Sequence, residues 1–235
     1  MDQSNPVNCP QFQSLRILIT GFGPFPGAPL NPTQPLVARL QKLRRPAFAE
    51  VERIAHIFPV SYGAVDRELP QLLARHQPHA LLMFGLAART PFIRIESRAR
   101  NAVTTLWPDA AHTRVRQACI VPGKDALSFG PHTARLLRAA LASGVDVRPS
   151  RDAGRYLCNY LSWRGIEATR RPGGPRLAAF IHVPLPARDT ASKRMTGEQM
   201  VDAGEAVLLE MIRLTRARLR EARGGNLTPL TPAFA

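Results

Sequence analysis

Residues 15–32 read LRILITGFGPFPGAPLNP. The run from Leu15 to Thr20 is apolar apart from Arg16, and it does not alternate. That pattern predicts a strand buried on both faces, as in a parallel sheet, rather than a half-exposed antiparallel one. Gly21 ends the run and opens a turn of glycines and prolines that also carries Phe22 and Phe25. Behind it, Leu36, Val37, Leu40 and Leu43 recur at helical spacing, predicting a helix over 33–43. A buried strand, a tight turn and an amphipathic helix form the first half of an α/β repeat.

The pattern repeats along the chain. Residues 53–60 predict a second strand, and 64–75 a helix with Val65, Leu69, Leu72 and Leu73 inward, despite Pro70. Residues 80–84 (ALLMF) predict a third strand stopped by Gly85. A helix over 133–142 ends at Ser143-Gly144, and 177–183 is another buried strand. Thr196-Gly-Glu-Gln199 reads as a capping box opening a last helix to about 223. Residues 97–116 are polar and irregular, and long loops of that kind are commonly functional or disordered. The expected architecture is a three-layer α/β/α sandwich around a mostly parallel twisted sheet. One domain is expected over 15–223, with a lead-in at 1–14 and a tail at 224–235.

Composition narrows the function. The longest apolar runs are about six to eight residues, too short to span a membrane, and the first residues lack the basic and apolar regions of a secretory signal. The odd set Cys9, Cys119 and Cys158 suits a reducing, cytoplasmic compartment, with no cysteine or histidine spacing that suggests a metal site. The net charge of +15 raises the question of nucleic acid. Yet all basic residues but Lys42, Lys124 and Lys193 are arginines dispersed along the chain, a pattern of GC-rich coding rather than of a binding patch.

Three residues carry candidate chemistry. Cys158 lies in Gly154-Arg-Tyr-Leu-Cys-Asn159, where Asp152 and Gly154 suit a helix opening. A cysteine in a first helical turn feels the positive dipole end, which favours thiolate and fast alkylation relative to Cys9 and Cys119. The alternative is an inert buried thiol. His182 ends the apolar run Ala178–Val183, at the strand end where α/β ligand crevices lie; the alternative is a core histidine. Glu96 is placed either to orient an imidazole or to pair with Arg94, Arg98 or Arg100. The glycines of 21–27 do not make a dinucleotide fingerprint, because their spacing is wrong and Pro24 removes an amide donor.

At these residues the chain resembles the type I pyroglutamyl peptidases, or pyrrolidone-carboxyl peptidases. The resemblance rests on Thr20-Gly-Phe-Gly-Pro-Phe25 with Gly27 and Asn31-Pro32, on Gly154–Asn159, on Phe180-Ile-His-Val-Pro184, and on Glu96 with Ala99 and Asn101. It implies a cysteine exopeptidase that removes N-terminal pyroglutamate from blocked peptides without metal or cofactor. Cys158 would be nucleophile, His182 general base and Glu96 orienter. Phe22, Phe25, Tyr156 and Leu157 would wall the lactam slot, and Asn31 would brace the turn. The family is often homo-oligomeric. Two departures stand out: Leu86 replaces a family glutamine and Leu106 a family arginine, which implies weaker discrimination of the lactam. The other readings are an amidase of the same fold with another acyl group, a binding protein with a vestigial triad, and a nucleic-acid binder.

Overall fold

The computed structural model describes residues 14–224, except 26, 27, 124, 188, 190, 191 and 193. The expected lead-in and tail, the motif residue Gly27 and Cys9 therefore lie outside the described residues, apart from the ends at 14 and 224. In chain order the elements are β1 (Leu15–Phe22), α1 (Thr33–Lys42), β2 (Val51–Phe58), α2 (Tyr62–His76), β3 (Ala80–Leu86), β4 (Ile93–Glu96), β5 (Arg98–Arg100), β6 (Ala126–Ser128), α3 (His132–Leu141), β7 (Val147–Ser150), α4 (Leu157–Thr169), β8 (Leu177–Val183) and α5 (Gly197–Gly224).

Six strands form one sheet in the order β2-β1-β3-β8-β4-β7, and β5 pairs separately with β6. Every junction in the large sheet is parallel except β8–β4. Consecutive parallel strands need crossover helices, and those helices cover both faces. Ile17, Ile19, Leu82, Phe84, Ile181 and Val183 pack against α1, α3 and α5. Leu18, Met83, Ala178 and Phe180 alternate to the other face, beneath α2 and α4. The α/β/α sandwich follows from sequence runs that are apolar at both parities.

Several boundaries differ from expectation. β3 runs through Gly85 to Leu86 instead of stopping at the glycine. The helix expected from Asp152 and Gly154 opens at Leu157. Asp152 Oδ1 instead accepts the Gly154 N–H at 2.9 Å, and Gly154 has φ +84°, a conformation that keeps it outside a helix and favours glycine. The segment after Glu96 is partly regular, since it contains β5. The last helix opens as expected: Thr196 Oγ1 accepts the Gln199 N–H at 3.2 Å, and Gln199 Oε1 accepts the Thr196 N–H at 2.9 Å. Among the described residues, no helix is long and apolar enough to cross a membrane.

Candidate active site

The antiparallel junction builds the site. β4 pairs with β8 so that Arg94 lies opposite His182 and Glu96 opposite Phe180. Ile93 and Ile95 turn toward α3 and α5. Alternation sends Arg94 and Glu96 to the other face, shared with Phe180 and His182. On the far side of β8, the parallel register sets Gly85 beside His182.

α4 closes the site from above. Cys158 is its second residue, in the first turn. A Cβ on Gly85 would lie 2.7 Å from Cys158 Sγ and 2.7 Å from Phe180 Cζ. The sulfur therefore occupies the space a side chain at position 85 would fill, next to the strand that carries His182. Gly85 is a seat for the sulfur, and this is why an apolar strand continues through a glycine.

His182 Nδ1 and Glu96 Oε1 are 2.7 Å apart, with 3% and 0% of the side chains exposed. An ionised carboxylate only accepts, so this bond puts the proton on Nδ1 and leaves Nε2 with its lone pair. Arg94 joins the pair: its Nη2 is 3.2 Å from His182 Nδ1 and its Nε is 3.4 Å from Glu96 Oε1. The two readings of Glu96 meet on one oxygen.

Burial dominates the protonation states. It pushes the Cys158 thiol up to about 12, and the Glu96 charge adds to this, against Arg94 and the backbone amides of Leu86 and Cys158. Burial also lowers His182, against the pull of Glu96. For Glu96, burial acts upward but is outweighed by the hydrogen bond and charge of His182, with help from Ser150 and Arg94, so the carboxyl stays below its ordinary value. Against the expected helix-favoured thiolate stands desolvation, which disfavours the charged form of the Cys158 thiol as it does that of the His182 ring. Cys119 is exposed and Cys158 partly buried.

The proposed slot residues divide into two groups. Phe22 and Leu157 are buried in the core beneath α2 and α4, with Phe22 6.3 Å from Phe58 between ring centroids. Phe25 and Tyr156 are only partly buried against that core. Asn31 Nδ2 donates to Gly23 O at 3.0 Å, and its Oδ1 accepts from Thr33 N and Oγ1 at 3.1 and 3.0 Å, tying the turn to α1.

The departures take unexpected positions. Leu86 lines a cavity of about 640 Å³ with Leu36 of α1 and Val201 of α5, on the face opposite Cys158. What Leu86 turns toward the sulfur is its backbone amide. Its side chain is therefore no substitute for a polar contact at the sulfur. Leu106 and Trp107 are 72% and 64% exposed on a loop anchored by Tyr156, whose hydroxyl donates to Pro108 O at 2.9 Å.

A family model for pyroglutamyl peptidase matches residues 15–211. The chain belongs to the pyroglutamyl peptidase family. It is 33% identical over 171 residues to a pyrrolidone-carboxylate peptidase of Gloeobacter violaceus, covering 72% of this chain and 82% of that one. It is 29% identical to the Pyrococcus furiosus enzyme of the same name, covering 72% and 81%. A solved pyrrolidone carboxyl peptidase from Fervidobacterium islandicum superposes with a TM-score of 0.75 at 25% identity, covering 85% of this chain and 99% of that one. Family members are cysteine peptidases that remove N-terminal pyroglutamate.

Sequence reasoning missed the parts that hold the site together. Asn159, one residue after Cys158, accepts the Arg100 N–H at 2.9 Å and donates to Arg100 O and Ala102 O at 2.8 and 2.9 Å. Asp109 Oδ2 accepts the Tyr62 N–H at 3.0 Å. Arg94 was foreseen as a partner of Glu96 but not of His182, although the residue two before Glu96 in a strand shares its face.

Proposed function

We propose that this chain is a cysteine exopeptidase that removes N-terminal pyroglutamate, with Cys158 as nucleophile, His182 as general base and Glu96 as its orienter. The observation that carries the reading is the Cys158 sulfur seated on Gly85, beside the buried 2.7 Å His182–Glu96 pair. A resting thiol needs a base as it attacks. His182 Nε2 takes the thiol proton while sulfur adds to the pyroglutamyl carbonyl, and Glu96 stabilises the imidazolium that forms. The imidazolium then protonates the leaving amine, giving a thioester and the shortened peptide. Water, activated by the same imidazole, releases pyroglutamate. The amides of Leu86 and Cys158, already near the sulfur, are the candidate oxyanion donors. Phe25 and Tyr156 supply the accessible apolar wall for a neutral lactam, with Phe22 and Leu157 backing it from the core.

The catalytic unit in this reading is one domain over 15–223. A free nucleophilic thiol suits a reducing cytoplasm, and a homo-oligomer is the family expectation, open to a sizing measurement. The partner is a peptide with a blocked N-terminus. With the Leu86 side chain turned from the sulfur, no observation favours an altered acyl specificity. The test is hydrolysis of a fluorogenic pyroglutamyl amide beside prolyl, alanyl and glutamyl amides. Preference for the pyroglutamyl amide, lost in Cys158→Ser, is the expected result. No cleavage of it, or equal cleavage of all four, would refute the reading.

A further inference from the structure

Arg94 is the charged group nearest the His182–Glu96 pair that the reaction itself does not require. It stands opposite His182 in the β4–β8 ladder and keeps 23% of its side chain exposed, against 0% for Glu96. Its charge therefore acts on a buried pair with little water between. Nδ1 offers one in-plane valence, which either donates to Glu96 or accepts from Arg94, never both. With Glu96 taking the Nδ1 proton, the Arg94 Nη2 donor lies against that N–H at 3.2 Å already in the neutral ring, and a second proton on Nε2 sets cation against cation. Arg94 also shares Glu96 Oε1 and so withdraws part of the negative charge that would stabilise an imidazolium.

The other groups facing His182 do not reverse this. Cys158 comes from α4 as a neutral thiol, Gly85 of β3 carries no side chain, and Phe180 on β8 itself packs 5.0 Å away between ring centroids. Asp152, before α4, favours the charged ring but is itself paired with Arg100 at 2.6 Å. We propose that Arg94 is a positioning residue that holds His182 neutral into mildly acid conditions and thereby sets the lower pH limit of the reaction. The inference rests on Cys158 and His182 being the reacting pair.

The test compares pH profiles of kcat/KM on a fluorogenic pyroglutamyl amide. In Arg94→Gln the acid limb moves up by about one unit, so the variant-to-wild-type ratio falls steadily from about pH 8 downward and approaches about a tenfold drop only well below both midpoints. Arg94→Lys, which keeps the cation without the fork, restores most of the limb. A purely structural role scales the rate equally at every pH, so a flat ratio overturns the proposal. NMR titration of the His182 ring reads the same group without turnover. The wild-type midpoint is expected below the ordinary 6.5, and that of Arg94→Gln above the wild type. A wild-type midpoint above 6.5 overturns the proposal even if no neutral variant folds. A shifted NMR midpoint in a chain that cleaves no pyroglutamyl amide supports the role of Arg94 and refutes the substrate reading instead.

Discussion

An alanine at position 85 would bring its Cβ to 2.7 Å from the Cys158 sulfur and 2.7 Å from Phe180 Cζ. Both contacts are too close, so the sulfur and the ring must give way or the strand must shift. Overpacking of this kind costs about 1–3 kcal/mol, and a sulfur displaced by about 1 Å loses about 10²-fold in rate. Gly85→Ala is therefore expected to lower kcat more than it lowers the unfolding midpoint, and full activity would remove Gly85 from the site. Cys158→Ser should lose about 10⁴-fold or more, since a hydroxyl is harder still to deprotonate than a partly buried thiol. His182→Ala should fall further than Glu96→Gln, by about tenfold or more, because the base moves the proton and the carboxylate only holds the base. Equal losses would count against these roles. The candidates Cys158, His182 and Glu96, which the fold brings together, were legible in the sequence because each sits in a short motif beside an element end. Gly85 was misread as a stop because a glycine after an apolar run has the same signature whether it breaks a strand or admits a neighbour. The upward push on the thiol was not legible, because a helix position is visible in sequence and desolvation is not.

At the scale of elements, α4 is held by its own first turn. Cys158 and Asn159 are neighbours, and the Asn159 amide makes three bonds to the backbone at Arg100 and Ala102. Asn159, the residue beside Cys158, thus fixes the loop that follows β5. Asn159→Ala strands buried backbone groups and should cost about 2–3 kcal/mol, read as a lower urea midpoint together with a lower kcat; a loss of stability with kcat intact would separate the loop from the chemistry. Far from the site, Thr196→Ala breaks the reciprocal cap of α5 and should cost about 1 kcal/mol with kcat/KM unchanged. A larger effect on rate than on stability would mean α5 reaches the site. The long elements were legible because their apolar periods run over whole segments. β4, β7 and the start of α4 were not. β4 and β7 are each only four residues, too short for a period to declare itself. Asp152 and Gly154 form a turn whose composition matches that of a helix opening. The antiparallel junction that assembles the site is a long-range pairing, and nothing local encodes it.

The net charge of the whole molecule is +15, and several arginines use theirs in ion pairs to helices. Arg39 and Arg45 pair with Glu198 and Glu205 of α5, Arg135 with Glu210, and Arg164 with Asp66. Acid should nonetheless destabilise the chain for a second, local reason. His132 Nε2 donates to Ala178 O at 2.8 Å, linking α3 to β8, and burial holds this imidazole below its ordinary value, as it does His182. A buried imidazole with a lowered value binds fewer protons folded than unfolded, so its contribution is complete above about pH 6.5 and is lost as the pH falls through and below that value. Glu96, also lowered, adds a further loss once the pH falls below its ordinary value of 4.5. The Tm is therefore expected to be level from about pH 8 to about pH 7 and to fall steadily toward about pH 5. His132→Gln keeps an amide donor for Ala178 O and removes one titrating ring, so it should flatten that fall. Overall repulsion among positive charges predicts a fall of the same sign, but salt separates the two. At about 1 M salt, surface charges are screened within about 3 Å, while buried imidazoles are not. A pH dependence that survives high salt and shrinks in His132→Gln assigns it to the buried rings; one that salt abolishes assigns it to net charge.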